Sequence, residues 1–218
     1  MKKGLMMIAV AGIASTAVAQ FGGVSKPSIP GGGDGATPAQ IDKFLSDAVL
    51  ADILVQKSSL QLLRAVVSKE EVDKIEAQLK AAMAIQDPKE KEAKVTRARE
   101  DIAGALARVN WEKEAEKVKA EHNAKKSKAI KGSLWNLALG SLKDVDLANS
   151  GKNLVSGTPR PESASKIQAA KEAIEKLVSQ SQGVGKILGS AKTLMSVVGL
   201  ESLPKSSSES PIVAANEE

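Results

Sequence analysis

Between Thr37 and Val67 the chain carries apolar side chains with almost no polar face, and from Ala48 to Val55 only Asp52 interrupts them. A helix of that kind is covered by neighbours on several sides. Thr37, Pro38 and Gln40 supply an N-cap, a proline at the first helical position and a capping-box partner. Ser68 with Glu71 predicts a second start, with Val72, Ile75, Leu79, Ala82 and Met83 on one face. Asp87, Pro88 and Glu90 predict a third, followed by Val95, Ala98, Ile102, Ala105, Leu106 and Val109 at helical spacing. Residues 112–128 keep a helix-forming composition but offer only Ala115 and Val118 as regular apolar contacts. That stretch is expected to project from the bundle or lie on its surface. Leu134, Trp135, Leu137, Ala138, Leu139, Leu142 and Val145 predict a further helix ending near Asn149 to Gly151. A fifth carries Ile167, Ala170, Ile174, Leu177 and Val178, and a sixth segment follows Gly183 and Gly185. Alternating β-branched runs and hairpin signals are missing, so the expected fold is an all-α bundle of about five or six helices over residues 37–200.

The flanks read differently. Lys2 and Lys3 precede an apolar run from Gly4 to Ala14, and Ala17, Val18 and Ala19 form an A-x-A pattern before Gln20. Residues 1–19 are therefore expected to be a bacterial-type secretory signal peptide cleaved after Ala19, because the run is too short to span a bilayer comfortably. Residues 20–36, with Pro27, Pro30 and the run Gly31 to Gly33, predict a flexible N-terminal arm. Residues 201–218 carry Ser206 to Ser208, Pro204, Pro211 and the pair Glu217 and Glu218, and predict a disordered C-terminal tail. The chain contains no cysteine, which excludes disulfides and thiolate metal sites. Loss of Lys2 and Lys3 would take the formal charge from +5 to +3, too small an excess to name a polyanionic partner.

Candidate chemistry is sparse. The one histidine, His122, has Val118, Lys119, Lys125 and Lys126 at helical spacing and no carboxylate among them, so a Glu-x-x-His metal arrangement is ruled out there. Asp42, Asp47 and Asp52 are spaced by five residues, which rotates each away from the last around a helix. Asp52 lies in so apolar a surround that it should be paired with a Lys or Arg from a neighbouring helix, or sit at a packing gap. No nucleophile motif, phosphate loop or metal-ligand set is recognisable, so no catalytic residue, cofactor or metal is assigned and the chain is read as non-enzymatic. Nucleic acid is not an expected partner, because the aromatic interleaving that single-strand binding uses is missing.

Two features remain. Lysines crowd residues 113–131 and outnumber the acids after Glu121; Lys125, Lys126, Lys128 and Lys131 are the candidate anion or lipid contacts, with Lys186 and Lys192 further on. The plainer reading is a solvated helix end whose lysines suit the helix dipole. Along residues 184–198, Val184, Ile187, Leu188, Ala191, Leu194, Met195 and Val198 share one face. The run from Gly183 to Lys192 resembles the opening of magainin-type amphipathic antimicrobial peptides, departing at Gly189. That resemblance implies a helix able to lie in a membrane interface. The preferred reading is that the same face completes the core, since burial against helices is worth as much as burial in lipid. The sequence thus points to an exported, non-enzymatic helical protein of the bacterial envelope, periplasmic or secreted, with a binding or structural role. Its partner would be another protein or a second copy of itself. The alternative is a membrane-surface or lipid-binding protein that meets an anionic membrane with the terminal helix and the lysine cluster.

Overall fold

The computed structural model describes residues 36–156 and 163–212. Among these residues the fold is all-α, as the periodicity predicts, with seven helices. The expected signal peptide and nearly all of the N-terminal arm lie outside the described residues, as do residues 213–218.

Helix α1 (Pro38–Val66) begins with the full capping box: the Thr37 hydroxyl accepts from the Gln40 N–H while the Gln40 side chain accepts from the Thr37 N–H. It packs along two other long helices, α5 (Ala124–Ser156) and α6 (Ala164–Ser190). Helices α2 (Lys69–Met83) and α3 (Pro88–Ala107) pack on each other and start at Ser68 and Asp87, whose side chains accept from the Glu71 and Glu90 N–H groups. Helix α4 (Trp111–Glu121) packs on the short α7 (Lys192–Val197).

Two apolar clusters fill the interior. One gathers Ile41, Phe44, Ala48 and Ala51 of α1 with Leu147 and Leu154 of α5 and Ile167, Ala170, Ile174 and Leu177 of α6. The other joins Leu62 and Leu63 of α1 to Leu106 of α3, Ile130 and Leu134 of α5, Val184 of α6 and Leu194 of α7. Between them, at the level of Asp52, Asp144 and Gln180, the three long helices present polar side chains inward.

The helices are divided differently from the sequence expectation in two places, the first of which adds one to their number. His122 adopts a left-handed backbone, φ 47°, which stops α4 before Asn123 caps the start of α5. The expected final helix is also divided differently: α6 runs on through Gly183, Gly185 and Gly189 to Ser190, and the chain turns at Ala191 before α7. Residues 112–121 do not project, since Trp111, Ala115 and Val118 are buried. Helix α5 continues past Gly151 to Ser156, and Val145, read as an apolar contact, is 43% exposed.

The four-residue spacing of Gly185 and Gly189 suits close helix contact, but close approach of helices here depends on other glycines. A Cβ on Gly185 or Gly189 would meet nothing within 4 Å. On Gly140 of α5 it would lie 2.5 Å from a methyl of Val55, and on Gly151 it would lie 2.7 Å from the Phe44 ring and 2.8 Å from Ile174. These two positions let α1 and α6 seat against α5.

Residues 201–212 contain no helix or strand, in keeping with their Pro and Ser content, yet they are seated along α5 rather than free. Pro204 is buried and Leu203 packs on the larger cluster. The Lys143 amine donates to the Ser207 carbonyl (2.6 Å), the Trp135 indole to the Ser210 carbonyl (3.3 Å), and the Asn136 amide exchanges two bonds with the backbone of Ile212 (2.8 Å each). Composition could not anticipate this, because the partners are polar side chains of a distant helix.

Candidate functional site

The lysine cluster is the first place to build a site. Val67 takes an extended backbone after α1, and Ser68 caps α2 immediately, so Arg64 in the last turn of α1 and Lys69 in the first turn of α2 fall close together. The start of α5 lies beside them. Arg64, Lys69, Lys125 and Lys126 line an open groove of about 590 Å³, with Asp73, Glu76 and Asn123 also on its walls. Four basic side chains thus face two acidic ones.

Pairing reduces that excess. Arg64 Nε lies 2.6 Å from Glu76, Lys69 Nζ lies 2.5 Å from Asp73, and Lys126 Nζ lies 3.0 Å from Glu121. The Asp73 carboxylate holds the Lys69 ammonium above its ordinary pKa, through a hydrogen bond and its charge. Lys125 is exposed and has no ion-pair partner among the described residues. The arrangement can attract a phosphate or carboxylate electrostatically, and the two carboxylates on its walls, Asp73 and Glu76, are held in ion pairs with Lys69 and Arg64.

The other candidate lysines do not join this groove. Lys128 is exposed on α5, Lys131 is tied to the Gly199 carbonyl at 2.7 Å, and Lys186 and Lys192 are exposed on α6 and α7. Conversely, Arg64 and Lys69 were not singled out in the sequence. Their separation by a helix stop was visible, but their nearness to Lys125 is a matter of how α5 packs.

The amphipathic face has a clear location. Val184, Ile187, Ala191, Leu194, Met195 and Val198 are all buried in the larger cluster, and Leu188 is partly buried against it. The bend at Ala191 lets both halves of the face point inward.

The polar layer between the clusters is the second arrangement with unusual electrostatics. Asp52 pairs with Arg99 of α3 at 3.2 Å, as its apolar surround requires. Asp42 and Asp47 go to different cations, Lys166 and Lys43, as expected of carboxylates that diverge around α1. Asp144 of α5 is fully buried and neither of its oxygens has a hydrogen-bond partner. Burial, and then the negative charge of Asp52, push its pKa up to about 8; the Gln180 amide faces it and pulls the other way without closing a bond of good geometry. At neutral pH the Asp144 carboxyl therefore keeps its proton. The nitrogens Gln56 Nε2, Arg99 Nε and Gln180 Nε2 are also buried without partners.

Among the described residues no group of three or more metal-ligating side chains comes together, and no helix is long and apolar enough to cross a membrane. Comparison with protein-family models, with curated proteins and with solved structures finds no match to this chain.

Proposed function

We propose that this chain is an exported, non-enzymatic helical protein of the bacterial envelope that acts as a binding component, meeting an anionic group at the groove of Arg64, Lys69, Lys125 and Lys126. Export rests on the Lys2–Lys3, apolar, A-x-A order at the N-terminus. The observation that carries the rest is the inward course of the 184–198 face, which leaves the groove as the chemically distinctive surface. A second reading is favoured by the exposure of Lys125, Lys128, Lys186 and Lys192: contact with an anionic membrane surface by charge alone, without insertion.

Cell fractionation with N-terminal sequencing tests the first part. The extracytoplasmic protein should begin at Gln20, and an intact Met1 in the soluble cytoplasmic fraction would overturn export. For the site, binding of inorganic phosphate and of vesicles rich in anionic lipid should be compared at low and high salt. Groove binding predicts that Arg64→Ala with Lys125→Ala abolishes both. The membrane reading predicts vesicle binding that depends on Lys186 and Lys192, and fades once the Debye length shrinks to about 3 Å near 1 M salt.

A further inference from the structure

The groove of Arg64, Lys69, Lys125 and Lys126 has an apolar floor. Between its charged side chains the lining is Ala65 and Val67 at the end of α1, Val72 of α2 and Ala129 of α5. Ala65 and Val67 are only partly buried, where α1 stops and the extended backbone of Val67 crosses to Ser68. The cations around this floor are unequally engaged. Lys69 and Lys126 are held by Asp73 and Glu121, whereas Arg64 meets Glu76 through Nε alone and Lys125 has no ion-pair partner among the described residues. Asn123, also on the wall, spends its side-chain oxygen on the Lys126 N–H, which leaves its amide N–H groups as donors. The groups able to take an anion are therefore Lys125, Asn123 and the outer end of Arg64.

Charge alone gives such a site little. An exposed ion pair raises affinity by about five-fold at most, and salt screens it further. Each ligand methylene laid on an apolar floor adds about four-fold. A small hydrophilic anion gains only the first contribution, and an anion with a hydrocarbon chain gains both. We propose that the groove takes a soluble single-chain anionic amphiphile, a short hydrocarbon chain ending in a phosphate or carboxylate, with its head at Lys125, Asn123 and Arg64 and its chain along Val67 and Val72. The proposal rests on the groove reading given above and adds the ligand class to it. An open volume of about 590 Å³ suits one short chain.

The test titrates the full chain by calorimetry with inorganic phosphate, butyl phosphate and hexyl phosphate at low salt. Affinity should rise with chain length, and hexyl phosphate should bind at least about ten-fold more tightly than inorganic phosphate. Lys125→Ala should weaken all three by a similar factor, up to about five-fold. Val67→Thr keeps the shape of the floor but adds a hydroxyl, and should remove most of the gain from the chain while leaving inorganic phosphate unaffected. Ala65→Ser serves the same comparison should Val67→Thr lower the helical melt. Phosphate binding with no gain from the chain would overturn this inference and leave the groove reading standing, whereas no binding by any of the three would overturn both. A chain-length gain indifferent to Val67→Thr and Ala65→Ser would also overturn it. So would Lys125-dependent binding to vesicles of anionic two-chain lipid with none to hexyl phosphate.

Discussion

Asp52 of α1 and Arg99 of α3 are joined at 3.2 Å, and this pairing leaves Asp144 of α5, on the inner side of the same polar layer, without a cation of its own. The nearest lysine along α5, Lys143, points elsewhere: its amine donates to the Ser207 carbonyl of the C-terminal segment and feels the charges of Asp146 and Asp47. Burial lowers the pKa of Lys143, and those two carboxylates partly restore it. The layer thus carries one paired carboxylate and one protonated carboxyl between two apolar clusters.

Stability should depend on pH through Asp144. Its folded-state pKa of about 8 lies above the ordinary value of 3.8. Between those values the folded chain binds more protons than the unfolded one, so this group's contribution to stability is complete below the lower value. It declines as pH rises toward the upper one. Asp144→Asn removes the titration without changing shape. Its stability should match wild type near pH 4 and exceed it by a growing margin up to pH 8, on the order of several kcal/mol at most, with the melting temperature rising in step. Thermal melts of both proteins that run parallel across this range would refute the assignment.

Glycine substitutions should split by position. Gly151→Ala drives a methyl into both Phe44 and Ile174, and should destabilise by about 1–3 kcal/mol. Gly183→Ala lies in the helical run of α6 with nothing within 4 Å, and should stabilise by about 1 kcal/mol through helix propensity. Urea titrations of the two variants check both signs.

The inward face of residues 184–198 gives a third test. Leu194 is fully buried, so Leu194→Asp places an unpaired carboxylate in an apolar site at a cost on the order of the whole stability of a domain. Leu188 is only partly buried, and Leu188→Asp should lower the melting temperature by a smaller step, since its carboxylate can reach water. Equal, small effects from both substitutions would mean that the face is not core.

What the sequence determined by itself is local. The starts of α1, α2 and α3 were legible at Thr37, Ser68 and Asp87 because a cap and its partner lie three residues apart, and the buried faces were legible because helical periodicity is a short-range property. The need of Asp52 for a cation was also legible from its apolar neighbours, though not that Arg99 would meet it. Tertiary structure alone decided the rest. It brought Lys125 to Arg64 and Lys69, chose Gly140 and Gly151 as the contact glycines, isolated Asp144 between two clusters, and laid a serine-rich segment on Trp135, Asn136 and Lys143. Each of these depends on side chains tens of residues apart, whose meeting is set by how whole helices pack, and a helical period records which face turns inward without recording what that face will touch.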